Sequence, residues 1–247
     1  MKFIFTILLS LLVLIPHSFA GKRILFIGDS VTDGGWGRSG GSALASSKRN
    51  LSDLNHIYGH SYMMLCAAYY ESEYPDSDYH FFNRGISGDD LQRIEKRCKE
   101  DIIDMKPDVL SVLVGVNDVF YHIKNHPEAP FDFSSWEKRF RNLLDSVRHY
   151  NPEVKLMLGT PFVAKVGFIE SDEEFSKYNG LICKLKDIVC RIAKDYTAVV
   201  VDYNNLFSSL GGKGKHWIWD GVHPTAAGHK KMADLWISVC KDCGYLD

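Results

Sequence analysis

The sequence has no block of one charge, no internal repeat, no low-complexity linker and no apolar stretch long enough to span a membrane. Each lack removes a class of protein. Lysine and arginine number 29 against 31 aspartates and glutamates, a formal net charge of −2 over 247 residues. That balance leaves no basic footprint for nucleic acid or for an anionic membrane surface. The apolar core of the N-terminus, residues 3–15, is 13 residues long, short of the roughly 20 that a membrane helix needs. No Gly-x-x-x-x-Gly-Lys follows a predicted strand, and no His-Glu-x-x-His occurs. Two histidine pairs have i, i+4 spacing, His56/His60 and His122/His126. Gly59 and Pro127 disfavour regular helix there, so neither pair is expected to hold a metal, and no cofactor is expected.

What the N-terminus does carry has the form of a secretory leader. Lys2 precedes the apolar core, and Ser18-Phe19-Ala20 gives a small-x-small cleavage site before Gly21. The expectation is a protein secreted or delivered to the periplasm, with residues 1–20 removed and residues 21–247 forming one domain. No cysteine lies near Gly21, so a lipoprotein anchor is not expected. Six cysteines stand at 66, 98, 183, 190, 240 and 243. Export permits disulfides, although a domain of this size does not depend on them. Cys183 and Cys190 are about 10 Å apart along a predicted helix, beyond bonding reach. Cys240 and Cys243 are spaced to close a small loop.

The chain's organising stretch is Arg23-Ile24-Leu25-Phe26-Ile27-Gly28-Asp29-Ser30. Residues 24–27 are bulky and do not alternate with polar ones, which predicts a short strand buried on both faces of a parallel sheet. Gly28 permits a sharp turn, and Ser30 then falls at the carboxyl end of the strand, where reacting groups of open α/β sheets collect. A serine needs a base to become a nucleophile. Asp220-Gly221-Val222-His223-Pro224 supplies one, since a tight turn brings the carboxylate to Nδ1 and leaves Nε2 for the serine. Pro224 suits the first position of a following helix and keeps His223 in the loop at its entrance.

Further strands are predicted at residues 79–82, 109–114, 155–158 and 198–201. Helices are predicted at 59–73, from Leu91 to a stop at Pro107, at 133–150, from Phe175 to Tyr196, and at 225–240. Met63, Met64, Ala67 and Tyr70 share one face of the first. Asp89 or Asp90 is expected to cap the second, and Asp118 to cap a helix or form a turn. The alternation argues for a three-layer α/β/α sandwich, flavodoxin-like, around a five-stranded parallel sheet.

Two more blocks, Asn83-Arg84-Gly85-Ile86-Ser87-Gly88-Asp89 and Gly115-Val116-Asn117-Asp118, each follow an apolar run. With Gly28-Asp29-Ser30 and Asp220-x-x-His223 they stand in an order that resembles the SGNH (GDSL-type) hydrolase family over nearly the whole mature chain. The resemblance implies Ser30 as nucleophile, His223 as base and Asp220 as its orienting partner. It implies an oxyanion hole made of the backbone N–H groups of Ser30 and Gly85 with the amide of Asn117. It also implies the flavodoxin-like strand order 2-1-3-4-5, which brings these groups together. Exported members with Asp-x-x-His include acetylesterases acting on glycans; others are lysophospholipases and acyl-thioesterases. The expected partner is a small ester or acetylated glycan.

Aromatics near the predicted site loops suit sugar rings: Trp36, with Arg38 beside it in the Gly/Ser-rich segment after Ser30, then Tyr121, Phe162, Phe168, Trp217 and Trp219. They are candidate substrate-binding residues, with core packing as their alternative role. A glycan-binding protein that keeps the fold without activity is the competing class, and an ester burst sensitive to a phosphonate separates the two.

Overall fold

The structure is a computed structural model and describes residues 21–35, 58–211 and 214–246. The leader-like residues 1–20, Trp36, Arg38 and His56 lie outside the described residues. In chain order the elements are β1 (Arg23–Gly28), α1 (Ser30–Asp33), α2 (Tyr62–Glu73), β2 (His80–Gly85) and α3 (Leu91–Lys96). A single π-helical turn follows at Lys99–Ile103. Next come β3 (Val109–Leu113), α4 (Val116–Asn125), α5 (Phe133–Tyr150), β4 (Lys155–Gly159), α6 (Asp172–Asp195), β5 (Val199–Val201), α7 (Tyr203–Ser209), α8 (Gly214–Trp217) and α9 (Ala226–Asp242).

The five strands form one parallel sheet in the order β2-β1-β3-β4-β5 with helices on both faces, the expected α/β/α sandwich. Ile24, Leu25, Phe26 and Ile27 are each wholly buried, because β1 is an inner strand of the sheet and both faces are covered. On one face Phe26 meets Tyr62 of α2 and Trp236 of α9, ring centroids 5.7 and 4.9 Å away. The Trp236 indole donates to Ser111 Oγ on β3 at 3.1 Å, which satisfies a buried polar group on each partner. On the other face α3 packs on α5, and α5 on α6.

Register decides where the chemistry collects. Gly28 pairs with Gly85 on one side and with Leu113 on the other, so β1, β2 and β3 end level. The loops after them open on one edge, carrying Ser30, residues 86–89 and Asn117. Among the described residues, no helix is long and apolar enough to cross a membrane.

Several local expectations need correction. The helix beginning at Leu91 does not run through to Met105. It stops at Arg97 and resumes as the π turn, where Asp104 N–H reaches back five residues to Lys99 O at 2.8 Å. Of the two cap candidates, Asp90 caps α3 by accepting from Arg93 N–H at 2.9 Å, while Asp89 pairs with Arg97. Asp118, with Asn117 beside it, forms no turn; of its two expected roles it takes the cap, its carboxylate accepting from the N–H of Leu91, the first residue of α3, at 3.2 Å. Gly115, at φ +125°, swings the chain straight from β3 into α4, and both residues lie in its first turn. Helix α2 starts at Tyr62, after Gly59 at φ +70° and the N-cap residue Ser61. Pro224 does not open the last helix; it bridges to Ile218, and Thr225 is the cap. All six cysteines are free thiols, Cys240 and Cys243 included.

Candidate active site

The turn after β1 is fixed by packing and capping together. A Cβ at Gly28 would stand 2.5 Å from Leu113 O and from Thr32 Oγ1, so only glycine fits. Asp29 is the N-cap of α1, its buried carboxylate accepting from Val31 N–H at 2.9 Å. Burial, offset in part by that N–H and by the nearby His223, pushes its pKa up to about 7. Ser30 is thereby placed as the first residue of a short helix. Its own N–H has no acceptor among the described residues.

From the far end of the chain, His223 Nε2 stands 2.8 Å from Ser30 Oγ. Its Nδ1 stands 2.7 Å from Asp220 Oδ2. The other oxygen of Asp220 accepts from the backbone N–H groups of Val222 and His223, at 3.0 and 2.8 Å. Burial alone would push this carboxyl up; those two N–H donors and the imidazole outweigh it and hold it below its ordinary value. Gly221 turns the chain at φ +115°, and Trp219 N–H donates to His223 O at 3.1 Å, closing the loop. Residues 164–168 brace it from outside, since Ala164 N–H donates to Gly221 O and Phe168 N–H to Asp220 O. With Nδ1–H held by the carboxylate, Nε2 is left free to take a proton from Ser30.

The expected oxyanion donors separate. Asn117 is in place: its Nδ2 donates to Asp89 O at 2.9 Å, which leaves one amide hydrogen, and the side chain borders the same cavity as Ser30. Gly85 is not available. It ends β2, and its N–H is spent on Asn83 Oδ1 at 2.9 Å. A Cβ there would stand 2.3 Å from Asp33 N, so the glycine serves close packing of α1 on β2. The glycine on the loop itself is Gly88. Asp89 N–H donates to Ile86 O, a turn whose third residue is Gly88 at φ +85°, the conformation a type II turn asks of glycine. Gly88 N–H has no acceptor among the described residues, and Gly88 O accepts from Tyr121 at the cavity wall.

Ser30 and His223 open on a cavity of about 480 Å³. Its walls are Phe120, Tyr121, Phe168 and Tyr178, with Lys124 at the rim. Phe120 packs on Tyr178 and Phe168, centroids 4.5 and 5.3 Å apart. Of the aromatic candidates, Tyr121 and Phe168 therefore face the site. Trp219 flanks it, 61% exposed and stacked on His223 with centroids 6.4 Å apart. Phe162 is 3% exposed and packs on Phe207 and Tyr203, so it is core and not a substrate platform. Trp217 is half-buried against His216 and does not line the cavity. Phe120, Tyr178 and Lys124 were missed. The signal for two of them was the spacing of Val116, Val119, Phe120 and Ile123, which marks the helix that α4 turned out to be.

A larger groove, about 630 Å³, lies beside Pro107 and Asp108 at the opposite, amino-terminal edge of the sheet, with none of the groups just described. His122 Nε2 is bonded to Ala129 O at 3.0 Å, and no group of three potential metal ligands occurs among the described residues.

Comparison with known proteins puts this geometry in context. A model of the GDSL-like Lipase/Acylhydrolase family matches residues 26–231. An acetylxylan esterase of Geobacillus stearothermophilus is 29% identical over 221 residues, 87% of this chain and 91% of that one. A multidomain esterase of Ruminococcus flavefaciens is 29% identical over 140 residues, 57% of this chain but 16% of its own length. Among solved structures, one from Parabacteroides merdae described as a GDSL-like lipase superposes with a TM-score of 0.78 at 24% identity, over 92% of this chain and 97% of that. A catalytic mutant of the Geobacillus acetylxylan esterase gives 0.72 at 25% identity, over 88% and 93%. The catalytic mutants of that enzyme replace an aspartate in one structure and, three residues further on, a histidine in another.

Proposed function

The chain belongs to the GDSL-like lipase/acylhydrolase family, and from that premise we propose that it is a serine esterase that removes acetyl groups from a carbohydrate. The observation that carries the reading is the continuous Ser30 Oγ, His223, Asp220 contact, 2.8 and 2.7 Å, opening on an aromatic-walled cavity. The spacing of Asp220 and His223 equals that of the two residues changed in the catalytic mutants of the Geobacillus enzyme.

In this reading Ser30 Oγ attacks the ester carbonyl as its proton passes to His223 Nε2, and Asp220 stabilises the imidazolium. The oxyanion is received by the N–H groups of Ser30 and Gly88 and the free amide hydrogen of Asn117. His223 returns the proton to the departing sugar hydroxyl, leaving an acyl-enzyme on Ser30. Water, deprotonated by His223, then releases acetate and restores the serine. Exposed Trp219 is stacked on His223, which hands the proton to the departing alcohol, and its flat ring suits a sugar there.

A second reading draws on the same cavity. Phe120, Phe168 and Tyr178 also suit a longer acyl chain, as in a lysophospholipase or acyl-thioesterase. The test is kcat/KM on 4-nitrophenyl esters from two to eight carbons, with acetate release from acetylated xylan, pectin and sialylated glycans. An acetylesterase loses activity as the acyl group lengthens. An acyl tunnel gains it, because each buried methylene contributes about 0.8 kcal/mol, and a maximum at six or eight carbons would replace the first reading by the second. Export belongs to the same proposal, and an N-terminus at Gly21 in protein recovered outside the cytoplasm is the result it requires.

A further inference from the structure

Beneath the loop that carries Gly88 lies a side chain with no part in the chemistry above. Arg97 is 13% exposed and sits where α3 breaks off. Its fork reaches three separate pieces of the site. Nε donates to Asp89 Oδ2 at 2.7 Å, at the end of the turn 86–89. Nη1 donates to Arg84 O at 2.7 Å, next to the end of β2. Nη2 donates to Gly28 O at 3.3 Å, two residues before Ser30. Asp101, 3% exposed, accepts from Nη1 at 2.8 Å and so holds the fork in its orientation from the π turn.

Two of these partners, Asp89 and Gly28, lead on to the oxyanion donors. Asp89 O accepts from the Asn117 amide. Gly28 O also accepts from Ile86 N–H, the first residue of the turn in which Gly88 stands third. Asp33 grips the same turn from α1, accepting from Ser87 N–H and Ser87 Oγ at 3.0 and 2.7 Å.

We propose that Arg97 is the positioning residue of the oxyanion hole: it fixes the turn 86–89 and Asn117 against the end of β1, and it matches the charge of Asp89 beside the point where negative charge develops. The inference rests on the hydrolase reading above. A planar five-donor fork can hold these four acceptors at set angles, and an ammonium with three donors cannot. An unmatched carboxylate near the oxyanion opposes the transition state and leaves ground-state binding of a neutral ester largely unchanged. The effect therefore falls on kcat.

The experiment compares the wild type with Arg97→Met and Arg97→Lys. Active sites are counted with a fluorophosphonate. Then kcat and KM are measured on 4-nitrophenyl acetate, and Ki for phenylboronic acid, which forms a tetrahedral adduct on an active serine. Arg97→Met is expected to lower kcat per titrated site about 10²-fold, the scale of losing one oxyanion donor, with KM within about twofold. Ki for the boronic acid rises in proportion. Arg97→Lys keeps the charge but not the fork and loses about tenfold. A purely structural role would reduce the number of titratable sites and leave kcat per site and Ki unchanged. That result, or a loss confined to KM, overturns the inference; if Arg97→Met is insoluble, Arg97→Lys decides on the same readouts. A wild type without activity on any ester overturns the hydrolase reading and this inference together.

Discussion

Asn83 offers the sharpest test of how the site is held, because its side chain is 1% exposed and every polar atom on it is used. Nδ2 lies 2.9 Å from Thr32 O, 3.2 Å from Asp33 O and 2.9 Å from Tyr58 O, so its two hydrogens serve three carbonyls. Oδ1 accepts from Gly85 N–H. Asn83→Ala orphans that buried N–H, at about 1–3 kcal/mol, and deletes two donated bonds worth about 0.5–1.5 kcal/mol each. The expected loss is about 2–6 kcal/mol. For a domain of this size each kcal/mol lowers Tm by about 2–4 °C, so calorimetry should show a drop near 10 °C. Activity per titrated site should fall as well, since Thr32 and Asp33 belong to the helix that presents Ser30. Asn83→Asp adds a second reading of the same atoms. It keeps the acceptor for Gly85 but turns a carboxylate oxygen towards carbonyls, which raises the folded-state pKa of the new acid. Its penalty is full above that value and eases as pH falls through it and the acid gains a proton to donate. Asn142→Ala, on the exposed side of α5, serves as the control. A Tm change below about 2 °C for Asn83→Ala would refute the argument.

Asp220→Asn should cost about 10³ to 10⁴-fold in kcat, because the amide can hold the imidazole in the wrong tautomer; a loss under tenfold means another group orients His223. Asn117→Ala should lower kcat about 10² to 10³-fold with KM little changed, and a change in KM alone would make it a substrate-positioning residue instead. His229 accepts from Tyr62 N–H through Nδ1, and burial, with the nearby His223, lowers its pKa to about 4. Its folded value lies below the unfolded one of about 6.5, so its neutral form contributes fully above pH 6.5. That contribution, roughly 3 kcal/mol, is lost as pH falls towards 4. Urea midpoints for His229→Gln should decline less over that range than those of the wild type, and equal slopes would count against the assignment.

What the sequence determined by itself was everything that rests on periodicity and on short-range stereochemistry. Residues 24–27 announce a doubly buried strand because no polar residue interrupts them. The α6 helix keeps its three/four spacing over six turns, and the Asp220 to His223 spacing allows one tight turn to join two side chains. Order along the chain, together with the family resemblance, then gave the sheet order; the register of the pairing sets β1, β2 and β3 to end level. What only the tertiary structure decided were the contacts between elements distant in sequence. Gly85 and Gly88 look equally free in the sequence, and only the Asn83 amide, folded back on β2, shows that the first N–H is spent, while the second has no acceptor among the described residues. Phe162 reads as a site aromatic until Tyr203 and Phe207 are seen to enclose it. Arg97 looks like one more charge on a helix, yet its partners lie 4, 8, 13 and 69 residues away. A hydrogen bond leaves a mark in the sequence only when both partners lie within a turn of each other; beyond that, which donor meets which acceptor is settled by how the layers pack.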